Sequence, residues 1–161
     1  MRRIIGVVVM ALVMIAGLSV FSASAGGDGS SHDGGGLRLL SRTVDSADLD
    51  LGAAGPSLGD QFVFTDTLLM KGKVVGSDHG FCTLLRLEGN EATVQCVVTL
   101  VLNGKGQITV QGVAVFSENE NPTFTLAITG GTDRFRNASG QLKVREVSDT
   151  DSVLRVQLGN D

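Results

Sequence analysis

The stretch AITGGTDRFRNASGQLKV, Ala127 to Val144, decides the fold. Two adjacent glycines interrupt what is otherwise a succession of strand-forming segments. A glycine pair ahead of a polar turn either cradles a phosphate or lets the chain bend. A phosphate loop requires Lys followed by Ser or Thr at the end of the glycine-rich turn, and then a helix. Here Asp133, Arg134 and Phe135 follow, and the next regular element has strand composition. The dinucleotide fingerprint fails too, because its glycines open a helix within a βαβ unit. The conformational role remains. Gly130 and Gly131 tolerate positive φ and bulges at a strand end, Phe135 folds inward as a plug, and Gly140 leads into the next strand.

Upstream and downstream of this turn the chain is β throughout. LRLLSRTV, QFVFTDTLLM, FCTLLRLE, EATVQCVVTLVL, QITVQGVAVF, TFTLAIT, GQLKVREV and SVLRVQL are rich in Val, Thr, Ile, Leu and Phe. An irregular crossing, SADLDLGAAGPSLG, follows the first of them. GKVVGSDHG, GN, NGKG, SENEN, GGTDRFRNAS and SDTD separate the rest and have turn compositions. Several strands carry one apolar face. Ala92, Val94, Cys96, Val98 and Leu100 oppose Thr93, Gln95 and Thr99, and Ile108, Val110, Gly112, Ala114 and Phe116 oppose Gln107, Thr109 and Gln111. Antiparallel strands of this kind close into a barrel or stack as a sandwich. The pattern alone leaves both open.

The first residues stand apart from this domain. Arg2 and Arg3 precede an apolar run from Ile4 to about Val20, and Ala23-Ser24-Ala25 ends it with small residues. That is the layout of a signal peptide over residues 1–25, with an uncleaved anchor as the alternative. A secreted location follows. Residues 26–36, GGDGSSHDGGG, form a Gly-rich flexible linker that carries His32, and residues 37–161 form the single domain. Cleavage removes two arginines and no acid, taking the formal net charge from −4 to −6. An acidic chain without Trp or Tyr lacks the cationic footprint and most of the stacking surface of a nucleic-acid binder. Acidity also argues against docking on anionic membranes.

Cys82 and Cys96 flank a hairpin, CTLLRLEGNEATVQC, and with Gly89 at the turn they fall opposite each other. In an exported chain the first reading is a disulfide, worth about 3 kcal/mol for a loop of this length; two free thiols are the alternative.

The blocks GDQFVFTDTL, GFCTLL, GQITVQG and LAITGGTDRFRNASGQLKV, in this order, resemble the allene oxide cyclase and dirigent-protein superfamily. The resemblance runs from Gly59 to Leu158, roughly a hundred residues. It implies a single eight-stranded antiparallel β-barrel (calycin-like) with a central cavity. It also implies a hydrophobic small-molecule ligand and isomerase, cyclase or stereochemical-guide activity, with no cofactor. Members form dimers and trimers, so a homo-oligomer is an open reading.

Residue transfer from that family is thin. The plant cyclases carry a carboxylate with a neighbouring Asn and Pro on their first strand, and LRLLSRTV has neither. Cys82 matches their barrel Cys, and Asp66 stands where they have Asn. Asp66, if it points into a barrel, is a candidate acid or base, its pKa raised by desolvation. The alternative places it at a strand end or facing outward. Arg86 shares a face with Cys82 and Leu84 by alternation; it is a candidate anchor for an anionic group, a partner for Asp66, or a rim residue in solvent.

Asp78-His79 in SDHG supplies no triad by itself, and with His32 and His79 as the two histidines a His-rich metal site is excluded. Asp45, Asp48 and Asp50 alternate like calcium ligands, yet the loop lacks the Gly and Glu a calcium loop needs. Asn137-Ala138-Ser139 is a glycosylation sequon. Two functions stay in play: a cavity-bearing isomerase, cyclase or stereochemical guide, and a non-catalytic extracellular ligand-binding or structural barrel.

Overall fold

A computed structural model describes residues 36–117 and 122–159. The proposed signal peptide, nearly all of the Gly-rich linker, and most of the SENEN turn lie outside the described residues. Eight strands form one sheet: β1 Leu37–Leu49, β2 Gln61–Met70, β3 Lys73–Glu88, β4 Glu91–Leu102, β5 Gly106–Ser117, β6 Thr123–Gly131, β7 Gly140–Glu146 and β8 Asp151–Leu158. Each runs antiparallel to its neighbour in sequence, and β1 also pairs with β8, from Leu37↔Val156 to Arg42↔Asp151. The sheet is therefore a closed barrel, and the barrel-or-sandwich choice is settled.

Closure dictates what the alternation means. With one inner face, every second residue of each strand enters the bore. Leu39, Leu68, Leu100, Ile108, Leu126 and Leu142 are each at most 2% exposed, and they fill its middle and one end. The roomy interior implied by the family resemblance is thus largely occupied by leucine and isoleucine side chains.

The longest departure from expectation is β3. Residues 73–80, whose composition resembles a turn, are strand. Their glycines are there for packing. A Cβ at Gly76 would overlap the Val101 carbonyl, and one at Gly80 would lie 2.7 Å from Phe64 Cζ. Two glycines in eight residues lower strand propensity, yet here they let β4 and a phenyl ring approach closely.

The glycine pair at the end of β6 does its expected work. Gly130 has φ +151, beside a register shift opposite Thr109 and Val110, and a Cβ at Gly131 would overlap the Gln107 and Phe135 carbonyls. Phe135 sits in a short 3-10 turn, Asp133–Phe135, half-buried against the core. Gly140, with φ +116, opens β7.

Cys82 and Cys96 are cross-strand partners and form a disulfide inside the barrel. Two features cancel to bring them level. The hairpin turn is Gly89-Asn90, half a residue past the expected centre, and a bulge at Leu85 between Leu84 and Arg86 takes up the difference.

Two carboxylates hold the crossing between β1 and β2: Asp50 accepts from the Gly55 amide at 3.0 Å, and Asp60 makes the larger set of bonds. Asp60 is buried and accepts hydrogen bonds from the Ser57 amide (2.7 Å), the Leu51 amide (3.0 Å) and the Ser57 hydroxyl (3.2 Å). Its backbone pairs with Leu84 on β3, where the Leu84 amide donates to the Asp60 carbonyl at 2.8 Å. The Ser57 amide, then the Leu51 amide, hold its pKa below the usual carboxylate value.

Two outcomes are expected. Replacing both cysteines by Ala should lower unfolding free energy in urea by about 3 kcal/mol, and labelling of the denatured, unreduced parent should find no thiol. Asp60→Ala should expose residues 50–60 to limited proteolysis. Because the folded-state pKa is lowered, the parent should approach the variant in this respect as pH falls through the carboxylate range.

Candidate functional site

Among the described residues, three buried polar side chains meet in the bore, with half-buried Thr43 beside them on the same face of β1. Ser41 on β1, Asp66 on β2 and Asp78 on β3 are 2%, 9% and 3% exposed, among leucines that are drier still. Asp66 lies mid-strand and points inward, so of its two expected placements the inward one holds. Asp66 and Asp78 are register partners across β2–β3, which places the carboxyl groups side by side. Leu100 on β4 is the next partner of Asp78, and Gly76 and Gly80 flank it on its own face. The space those glycines leave goes to backbone and to the Phe64 and Val98 side chains, which wall Asp78 in.

Ser41 ties the pair together. Its Oγ lies 2.8 Å from Asp66 Oδ2, and 3.2 and 3.3 Å from the two oxygens of Asp78. A hydroxyl has one proton to give. Donated to the nearer Asp66, it leaves Oγ as an acceptor toward Asp78, and that contact is satisfied when Asp78 is protonated. The electrostatics agree. Burial first, and then the neighbouring Asp66 charge, push Asp78 up to about 7. Asp66 is also raised, by burial, against hydrogen bonds from Ser41 and then Thr43 that favour its charged form. Two adjacent carboxyls in a dry site cannot both ionise cheaply, so Asp78 is the group that holds the proton. Asp66 Oδ1 is buried with no hydrogen-bond partner.

Arg86 does not join them. The bulge at Leu85 inverts the alternation, pairing Arg86 with Thr93 on the outer face, where it forms an exposed ion pair with Glu88. Its expected shared face with Cys82 and Leu84 is therefore wrong, and it reaches neither Asp66 nor the bore. Cys82 is held in the disulfide and does not titrate. His79 is on the outer face behind the pair, its ring nitrogens 3.1 Å from Thr65 Oγ1 and 3.0 Å from Ser77 Oγ.

Ser41 and Asp78 are the residues that sequence reasoning missed. The available signal was Gly76-Asp78-Gly80-Cys82-Leu84, an unbroken every-second-residue series on one face. Glycine composition hid it.

The barrel's two ends differ. Beyond Asp66 on the inner face of β2 come Phe64 and Phe62, stacked with centroids 5.7 Å apart. Phe116 and Phe124 meet edge to face at 5.5 Å on β5 and β6 at the same end. At the other end a cavity of about 220 Å³ is lined by residues including Leu39, Met70 and Leu102. A wider hollow of about 600 Å³ lies outside the bore along residues 133–139 and Leu158. Neither has Asp66 or Asp78 in its lining.

Residues 40–158 match the family model of the allene oxide cyclase barrel like domain. The chain belongs to this family. Among solved structures, a pyocyanin demethylase is similar at 30% identity and TM-score 0.68, covering 77% of this chain and 99% of that one. AbnU, an exo-specific intermolecular Diels-Alderase, has 17% identity and TM-score 0.61 over 78% of this chain and 98% of its own. The pterocarpan synthase dirigent protein PsPTS1 has 18% identity and TM-score 0.58 over 77% and 92%. The last two resemble this family member in fold alone. No curated protein matches it by sequence.

The buried pair generates a stability prediction. A carboxyl whose folded pKa lies above its unfolded value stabilises the fold most below the unfolded value, and that contribution is lost as pH rises through about 7. Asp78→Asn should therefore unfold at higher temperature than the parent at pH 8, with the gap shrinking or reversing at pH 5. Thermal scans at the two pH values check it.

Proposed function

We propose that this family member is a secreted enzyme moving protons on a hydrophobic small molecule, in an isomerisation, cyclisation or related rearrangement. One observation carries the reading: two carboxyl groups lie side by side, bridged by Ser41 inside an apolar barrel, where burial and the Asp66 charge push Asp78 up to about 7. Such a pair assigns an acid and a base. Asp78 holds a proton to give. Asp66 is the base, and its Oδ1 is the acceptor that the protein itself leaves unused, placed for an N–H, O–H or acidic C–H of a guest. The Ser41 hydroxyl carries the proton between them, so one taken by Asp66 is returned elsewhere on the same molecule from Asp78, and the pair is restored.

The guest enters from the phenylalanine end, displacing the Phe62 and Phe64 rings to reach Asp66. Desolvation there strengthens each charge–dipole interaction with the reacting atoms. Secretion rests on the leader-like residues 1–25. Pyocyanin is the first compound to offer, because the 30% identical relative is a demethylase of it; epoxides, polyketides and phenoxy-radical precursors follow.

A specific observation favours a second reading, a non-catalytic extracellular barrel: the leucine side chains that occupy the bore. The same assay separates the two. Purified protein should change the product distribution of at least one of these compounds. Asp66→Asn and Asp78→Asn should each cost about 100-fold or more in kcat/KM. Parent activity should fall as pH rises through about 7, as Asp78 loses its proton, and Asp78→Asn should lose that limb. Unchanged products with every compound class, or turnover indifferent to both substitutions, would leave the non-catalytic reading standing.

A further inference from the structure

The two ends of the barrel differ in charge: one mixes its acids with Arg42, Arg86 and Arg145, while the other is almost wholly basic. The end carrying the β1–β2, β3–β4 and β7–β8 connections bears Asp45, Asp50, Asp60, Glu88, Glu91 and Asp149. The opposite end carries Lys71 and Lys73 in the β2–β3 turn, Lys105 in the β4–β5 turn, and Arg134 and Arg136 after β6, with Asp133 as the acid among them. The Arg134 amide donates to the Lys105 carbonyl at 3.1 Å, joining the two basic turns. A chain acidic in total thus presents one cationic end.

That end is where the 220 Å³ cavity opens. Its walls are Leu37, Leu39, Met70, Val74, Val75 and Leu102, with Asn103 and Lys105 at the rim. Val74 is 63% exposed, so apolar wall is left in contact with water. A 150 Å³ apolar cavity is large enough for benzene; this one has room for one or two fused rings or a short acyl chain.

The turn residues add an independent observation. Lys71 has φ +50 and Gly72 φ +75, the two-residue turn in which Asn-Gly or Gly-Gly is usual. A long side chain at positive φ is an unfavourable choice for the backbone, and here it is a lysine that directly follows Met70, a residue of the cavity wall. Lys73 follows directly. Among the described residues no carboxylate forms an ion pair with Lys71, Lys73 or Lys105.

We propose that this cavity is a second small-molecule site, separate from the Asp66–Asp78 pair, for an amphipathic anion. Its aryl or short acyl body lies against Leu39 and Met70, and its carboxylate, sulfonate or phosphate is held between the β2–β3 lysines and Lys105. A cationic rim over low-dielectric walls concentrates such an anion, and the apolar body supplies what exposed ion pairs alone do not.

Calorimetry and amide NMR with naphthalene-2-sulfonate, and with 2-naphthol as the uncharged counterpart, test this. The sulfonate should bind more tightly and shift the Leu102 and Asn103 amides. The double variant K71G/K105Q, in which glycine suits the turn, should weaken the sulfonate about tenfold, as expected of two partly exposed ion pairs, and leave 2-naphthol unchanged. Leu39→Trp, which fills the cavity, should abolish both. Equal affinity for the two probes, sulfonate binding unaffected in K71G/K105Q, or shifts centred on Asp66 would overturn the proposal. Sedimentation with phosphatidylglycerol vesicles that needs the same lysines, in the absence of sulfonate binding, would also overturn it by assigning the patch to a membrane surface. Failure of the proton-transfer reading appears separately, as turnover insensitive to Asp66 and Asp78.

Discussion

Pairing of β1 with β8 is the constraint on which the rest of the molecule depends. Once those strands meet, the sheet has no free edge and one shared interior, so each strand's alternation becomes a statement about a common volume. Buried leucines from β1, β2, β4, β6 and β7 fill most of that volume. The same geometry forces Ser41, Asp66 and Asp78 into the dry space, because each sits in register with inward apolar neighbours. A one-residue slip on β2 or β3 would put the acids in water and Thr65 or His79 in the core. The site's chemistry is in this sense a property of the register.

Much of this register was legible from the chain. β2 and β4 have the bounds that composition predicts, the disulfide partners face each other, and Gly130, Gly131, Phe135 and Gly140 shape the turn assigned to them. Two things were not legible. Gly76 and Gly80 made β3 resemble a loop, since a glycine selected for close approach has the same letter as one selected for a turn. The bulge at Leu85 reversed the face of Arg86, and nothing in FCTLLRLE announces an extra residue. Both misreadings fall on β3, the strand that carries Asp78, so the acid pair was half visible: Asp66 as a lone candidate, its partner hidden.

On the proposed proton-transfer reading, the paired acids set function against stability. Burying a second carboxyl beside Asp66 costs free energy at neutral pH, which leucine packing and the disulfide offset. An Asn at position 78 would be the more comfortable residue for the fold. Retaining an acid there makes sense when its proton is used, and the unpartnered Asp66 Oδ1 supports the same conclusion. The cavity at the far end is walled by strand residues of the bore, and the neighbouring turns supply its cations.

One seam of the cylinder is shorter than its neighbours. β5 and β6 are laddered only from Ile108 to Gln111 on the β5 side, and beyond that point the Phe116 and Phe124 rings hold the strands together. The adjacent outward residues Val113 and Val115 are both exposed. There the seam is closed by side chains, the two phenyl rings and Leu126 packed against Gly112. With few ladder bonds to break, the amides of that seam should be the earliest in the sheet to trade hydrogen for deuterium.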